Sequence, residues 1–121
     1  MAKPIRIQRK RTKGWRMPPN TVCISRPSMW GNPYGVWRED GRWWVGWHLR
    51  QTKSWDTEYE ARLEAVRLCM EYFKKERLLD FIEELRNKNL CCWCPLDQPC
   101  HGGPLLELAN APGGGEGGNG R

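Results

Sequence analysis

Apolar and polar residues alternate in short stretches over the first half of the chain. Residues 5–8 (IRIQ) alternate and predict a first short strand, and the β-branched, apolar residues 21–25 predict a second, buried strand. Residues 9–20 between them are polar and contain glycine and proline, which predicts a loop. Residues 36–45 carry many tryptophans and predict a β-hairpin that turns at Asp40-Gly41.

The second half of the chain begins with helical periodicity. Thr57 and Glu60 match a capping box, and an apolar stripe continues from there to about Lys75. A second helix is predicted over residues 76–86, a strand over residues 90–94 and a short helix over residues 104–110. Helices between strands predict an α/β fold: a small single domain with a mixed, partly parallel sheet, the Trp-rich hairpin and about three helices.

Length and composition set the limits of this domain. The 121 residues leave room for one domain, which we expect to span residues 5–110. Residues 111–121 include six glycines and predict a disordered tail. No apolar run approaches the ~18 residues of a membrane-spanning helix, and the first residues lack a hydrophobic signal core, which predicts a cytoplasmic protein without a membrane partner. In that compartment the six cysteines favour metal binding, catalysis or burial over disulfides.

Positive charge is concentrated at the start of the chain. Residues 1–16 hold seven of the 20 basic side chains and none of the 14 acidic ones, whereas the remainder is almost neutral. A basic segment beside a neutral body is typical of a surface that contacts phosphates, although it is also compatible with a solvated arm. The residues predicted to contact nucleic acid are Arg9, Lys10, Arg11, Lys13 and Arg16.

The loop of residues 26–34 follows the second strand and offers binding groups. Arg26 can bond a phosphate, Trp30 can stack on a base, and Asn32 can bond an amide edge, with Ser28 in the same loop. Loops that follow a strand commonly carry binding groups in α/β proteins. The alternative is a tight connection in which Trp30 fills the core and Asn32 satisfies a turn.

Residues 90–103 hold four of the six cysteines and one of the two histidines. Along a strand, alternation places Cys92 and Cys94 on one face and Cys91 and Trp93 on the other. The predicted metal ligands, for zinc or iron, are Cys92, Cys94, Cys100 and His101. Their spacing is not the paired C-x-x-C of a zinc knuckle, and two cysteines along a strand lie farther apart than the edge of a zinc–sulfur tetrahedron.

Two other interpretations of the cysteine stretch remain open. Cys100 precedes a predicted helix, whose amides and dipole lower a thiol pKa, so that it can act as a nucleophile with His101 as its acid/base partner. Alternatively, the cysteines belong to the core and residues 100–101 form a capped turn. In each case we expect the stretch to meet the 26–34 loop at the carboxyl edge of the sheet.

Both segments carry a family resemblance. Arg26-Pro27-Ser28-Met29-Trp30-Gly31-Asn32-Pro33-Tyr34 resembles the R-P-S-x-W-G-N-P-aromatic element of DUF4326, an uncharacterised family of small phage and bacterial proteins. Leu90-Cys91-Cys92-Trp93-Cys94, with Pro99-Cys100-His101, resembles its L-x-C-W-C…C-H element. The resemblance implies that the two segments belong to one pattern. It brings no established reaction, and its phage-type context, in the cytoplasm of a bacterial host, favours nucleotides or nucleic acid as partners.

Three functional hypotheses follow. The first is a protein that binds nucleic acid or a nucleotide at a site built from the 26–33 loop and a Cys/His cluster, with a bound metal. The second is a cysteine-dependent enzyme that acts on a nucleotide or modified base. The third is a phage protein that binds a host protein through its Trp-rich surface, without catalysis.

Overall fold

The computed structural model describes residues 3–47 and 50–112, with the backbone alone for residues 50–52. The elements in chain order are β1 (Arg6–Gln8), β2 (Thr21–Cys23), β3 (Gly35–Glu39), β4 (Arg42–Trp47), β5 (Arg50–Trp55), α1 (Glu58–Lys75), a 3-10 helix (Leu78–Leu85), β6 (Asn89–Cys92) and α2 (Gly102–Asn110). Most of the predicted tail, residues 113–121, lies outside the described residues.

The first sheet is parallel and has the order β1-β6-β2. Its central strand β6 contains the buried residues Leu90, Cys91 and Cys92, as expected for a strand covered on both faces. The ladder continues past the strand ends, because Arg9 N–H donates to the Cys92 carbonyl (2.7 Å) and Ile24 N–H to the Cys91 carbonyl (2.8 Å). The carboxyl ends of all three strands therefore lie side by side.

The second sheet is antiparallel and has the order β3-β4-β5. The predicted hairpin turn is confirmed, since Asp40 and Gly41 both have positive φ (54° and 76°), as a type I′ turn requires. The sequence does not predict β5, because its residues RQTKSW contain one large apolar side chain and no alternation.

The predicted capping box at the start of α1 is confirmed. Glu60 N–H donates to Thr57 Oγ1 (3.1 Å), and Thr57 N–H donates to Glu60 Oε1 (3.2 Å). The helix ends at Lys75, and Arg77 adopts a left-handed conformation (φ 63°) that separates it from the next helix. That second helix, predicted as residues 76–86, is a 3-10 helix over Leu78–Leu85.

The core joins the parallel sheet to the helices. Ile24 and Leu90 pack in one cluster with Phe73 of α1 and Leu105 of α2. A smaller cluster places Ala61 and Ala65 of α1 against the second sheet. The predicted single α/β domain with a Trp-rich hairpin and three helices is thus confirmed, with its parallel and antiparallel strands in two separate sheets. Within the described ranges, no helix has the length and apolar character needed to cross a membrane.

Candidate metal and ligand site

A cavity of about 380 Å³ lies at the carboxyl edge of the parallel sheet. Its wall combines residues from the two segments that the sequence singles out, and α1 contributes Arg62. The lining residues that carry the chemistry are Arg26, Arg62, Cys92, Cys94, Cys100 and His101. The expected meeting of the 26–34 loop and the cysteine stretch is therefore observed.

Three thiols form a compact group in this wall. The Sγ atoms of Cys92, Cys94 and Cys100 all lie within 4.8 Å of one another, with Cys92 and Cys100 buried and Cys94 half-buried. β6 ends at Cys92, so the chain turns before Cys94 and brings it closer than an extended strand allows. The predicted strand over residues 90–94 is therefore too long, and the turn, rather than strand alternation, places Cys94 beside Cys92; Trp93, predicted on the opposite face, lines the same cavity. The turn also removes the objection of excessive spacing.

Hydrogen bonds within the group shift the pKa values of its three thiols in opposite directions, downward for Cys100 and upward for Cys92 and Cys94. The hydrogen bonds of Cys100 with Cys92, whose Sγ lies 3.0 Å away, and with Cys94 lower the pKa of Cys100 despite its burial, and His101 lowers it further. The bond with Cys100 raises the pKa of Cys92, and that of Cys94 is also raised, first by its interaction with Cys100. Gly102 N–H, at the start of α2, also points at Cys100 Sγ (3.4 Å), as predicted for a thiol that precedes a helix.

His101 lies beside the thiol group and is held in one orientation. Its Nε2 lies 2.9 Å from the Ile24 carbonyl, and because a carbonyl only accepts, Nε2 carries a proton. Its Nδ1 faces Cys100 Sγ at 3.7 Å. Among the described residues, the three thiols form a group in which every donor atom lies within 4.8 Å of every other. His101 is close to Cys100 but is not a member of this group. The structure therefore gathers three of the four predicted ligands and leaves the fourth next to them.

The donor chemistry of this group suits a metal. Thiolate sulfur binds zinc and iron well, and the three sulfur atoms are already within 4.8 Å of one another. Metal-binding histidines commonly donate their other N–H to a backbone carbonyl, as His101 does to Ile24. The Cys92, Cys94 and Cys100 cluster could thus hold a metal ion.

The 26–34 loop is largely structural. Trp30 is 2% exposed and packs edge-to-face against Phe73, with ring centroids 5.6 Å apart. Asn32 accepts from Tyr34 N–H (2.8 Å) and donates to the Ala65 carbonyl (3.3 Å), while Ser28 Oγ accepts from Trp30 N–H (3.0 Å). These contacts match the structural alternative for Trp30 and Asn32.

Arg26, Asn32 and Tyr34 of this loop line the cavity, and of these three Arg26 is exposed whereas Asn32 and Tyr34 are half-buried. The chain at Gly31 passes close to Arg26. A Cβ on residue 31 would lie 2.8 Å from Arg26 Cγ and 2.9 Å from the Arg26 backbone. The glycine of the R-P-S-x-W-G element thus permits the close approach of the chain to Arg26.

The basic segment reaches the outer rim of the site. The guanidinium groups of Arg9 and Arg11 each lie 4.5 Å from the ring centre of Trp93, a cavity-lining residue that is 38% exposed. Lys10, Lys13 and Arg16 are exposed, and they do not line the cavity. Trp93 therefore connects the predicted nucleic-acid surface to the cavity.

Sequence reasoning missed two residues of this region. Arg62 lies on α1 among ordinary charged residues, and its Nε donates to Glu58 Oε2 (2.7 Å) while its charge opposes the rise in the pKa of Cys94. Cys23 belongs to the strand predicted as buried, but it is half-buried and its Sγ lies 3.0 Å from Ser25 Oγ and 3.4 Å from Arg9 Nη1. Only the tertiary structure reveals either position.

Comparison with known proteins identified one family. A protein-family model described as a domain of unknown function (DUF4326) matches residues 7–111. Comparisons with curated proteins and with solved structures found no match.

Proposed function

Since the chain belongs to the DUF4326 family, whose description assigns no activity, we propose from its site that it holds a zinc ion and binds a nucleotide in the adjoining cavity. One observation carries this proposal: the three clustered thiols and the side chains of Arg26 and Arg62 line the same cavity. Thiols that can bind a soft metal ion and guanidinium groups that can bind an anion are therefore in the same cavity.

The choice of zinc follows from the ligands. Zinc takes thiolate and imidazole donors in a tetrahedral arrangement, and it does not change its oxidation state in proteins. The thiolate character of Cys100 and the N–H of Gly102 that points at its sulfur both favour bound metal. Iron has the same preference for thiolates, and the metal analysis described below distinguishes the two.

The choice of a nucleotide follows from the cavity. A volume of about 380 Å³ falls within the range of small-molecule sites. Arg26 and Arg62 can bond phosphate oxygens, since guanidinium groups match phosphate geometry. Trp93 lines the same cavity with its ring 38% exposed, and a nucleobase can stack on this ring in place of Arg9 or Arg11, whose guanidinium groups lie over it.

The direct test is metal analysis followed by titration with nucleoside phosphates in a calorimeter. We expect about one zinc per chain and a loss of nucleotide affinity of roughly tenfold or more in Arg26→Ala, because a charge-assisted bond contributes about 1.5–3 kcal/mol. Arg38→Ala is the matched control, because Arg38 is an exposed arginine outside the cavity. Protein that contains no metal and binds no nucleotide would overturn the proposal.

A second candidate function is nucleic-acid binding through the basic segment. It is favoured by the exposed side chains of Lys10, Lys13 and Arg16 together with the Arg9 and Arg11 contacts to Trp93. Binding of a single-stranded oligonucleotide should weaken as salt increases, and Lys13→Ala should reduce the slope of log K against log salt by about 1. A plot that stays flat over the salt series excludes phosphate contacts by this segment.

A further inference from the structure

The donor count of the thiol group is the starting point. Tetrahedral zinc takes four ligands, and the described residues bring three thiols within 4.8 Å of one another. His101 is outside this group, and its ring is fixed by the bond between Nε2 and the Ile24 carbonyl. With His101 held in this position, the described residues leave the fourth position of a metal bound by the three thiols unfilled.

The position of the thiols indicates the source of a fourth ligand. Cys92, Cys94 and Cys100 all belong to the cavity wall, so an ion that they hold is accessible to whatever fills the cavity. Zinc sites with three protein ligands and a fourth position for water or substrate are typical of sites that act on a bound molecule, whereas structural sites are closed by four protein ligands.

Charge defines the chemistry of the missing ligand. Zinc with three thiolates has a net charge of −1, which by itself would repel an anion. Arg26 and Arg62 line the same cavity and bring two positive charges, one of them shared with Glu58. The two guanidinium groups offset that charge, and their N–H groups can bond the oxygens of one oxyanion that also contacts the ion.

We propose that the metal of the thiol group keeps an open coordination position towards the cavity, and that a phosphate oxygen of the ligand occupies it while Arg26 and Arg62 bind the other oxygens. This inference rests on the proposed zinc site and extends it. It makes the metal part of the ligand-binding site rather than a structural ion.

Cobalt(II) replaces zinc as the probe, because its d–d absorption bands report the ligands around the ion. The thiolate-to-cobalt bands first show that the ion is bound by sulfur. Inorganic phosphate is then added at constant ionic strength. We expect phosphate to shift the d–d bands of the cobalt protein, and we expect Arg26→Ala and Arg62→Ala to raise the phosphate concentration for half of this shift by roughly tenfold or more each. Arg38→Ala should leave that concentration unchanged.

The outcomes separate this inference from the proposed function. Failure of the protein to bind cobalt or zinc overturns the metal site itself. If cobalt is bound by sulfur but phosphate does not change its d–d bands, the open coordination position is disproved and the metal site itself is retained. His101→Ala provides a second measurement, since its cobalt spectrum without phosphate should match that of the unmodified protein. A marked change would identify His101 as the fourth ligand and overturn the inference.

Discussion

Cys92 Sγ and Cys100 Sγ lie 3.0 Å apart in the interior, although the two residues are eight positions apart in the chain. Cys92 ends the central strand β6, and Cys100 precedes helix α2. The thiol group therefore links the middle of the parallel sheet to the last helix. A metal bound there would tie these two elements together and stabilise the fold as well as the site.

Removal of the proposed zinc ion from the thiol group should lower thermal stability. At free zinc one hundred times its dissociation constant, binding contributes about 2.7 kcal/mol to the free energy of unfolding, so a strong chelator should lower Tm by roughly 10 °C. Differential scanning calorimetry with and without the chelator measures this shift. Cys92→Ser should abolish the difference, whereas Cys23→Ser, which replaces a cysteine outside the group, should preserve it. An identical Tm in both conditions for the unmodified protein would contradict the prediction.

Trp30 and Trp93 should behave in opposite ways when they are replaced. Trp30→Ala should destabilise the fold by about 3–5 kcal/mol, because it removes a buried ring from contact with Phe73. Trp93→Ala should cost about 1 kcal/mol or less, since its ring is 38% exposed and the guanidinium groups of Arg9 and Arg11 lie over it. Urea unfolding gives both values. A small effect at Trp30 would instead support its predicted role as a stacking surface.

The sequence predicts the elements with local signals better than those that depend on tertiary contacts. Thr57 and Glu60 identify the start of α1 because both groups of the capping box lie within one turn. The 3-10 form of Leu78–Leu85 and the existence of β5 have no comparable signal. Separation of the strands into two sheets also depends on long-range pairing, which a hydrophobic pattern does not specify.

The candidate site follows the same rule. Cys92, Cys94 and Cys100 were identified by their clustering and by strand alternation, both of which are local properties. Arg62 could not be found in this way, because it approaches the cavity from α1, and its helical neighbours offer no signal that distinguishes it from a solvated arginine. The burial of Trp30 likewise depends on Phe73, which lies more than forty positions away in the chain.

Gly31 and Gly103 should differ in their tolerance of a methyl group. In Gly31→Ala the new Cβ would lie within 3.0 Å of Arg26 atoms, two of them in the backbone, so the loop must shift at a cost of about 1–3 kcal/mol. Nucleotide affinity should fall as well, because Arg26 moves with the loop. In Gly103→Ala nothing lies within 4 Å of the new Cβ, and a residue in α2 should gain up to about 1 kcal/mol. Equal unfolding free energies for the two variants would rule out the close approach of residue 31 to Arg26.

Cys23 should be the cysteine that reacts first with an alkylating reagent, because it is half-buried, whereas Cys100, whose pKa is also lowered, is only 5% exposed. Burial alone would raise its pKa, but hydrogen bonds with Ser25 and the nearby Arg9 guanidinium outweigh this and lower the pKa. Its thiolate fraction therefore rises at a lower pH than that of an unperturbed cysteine. Cys69 should stay unlabelled, because it is fully buried and burial raises its pKa to about 12. Iodoacetamide at neutral pH followed by peptide mass spectrometry identifies the labelled residue.

Arg9 should control this reactivity. Arg9→Gln removes the guanidinium whose Nη1 lies 3.4 Å from Cys23 Sγ, and we expect roughly threefold slower alkylation because the thiolate loses a nearby positive charge. Arg11→Gln is the matched control: it removes the same charge from the same segment, and Arg11 lies over Trp93 rather than beside the thiol. The pH midpoint of the reaction should rise in Arg9→Gln and remain constant in Arg11→Gln. Equal rates and midpoints in the two variants would show that Arg9 does not stabilise the Cys23 thiolate.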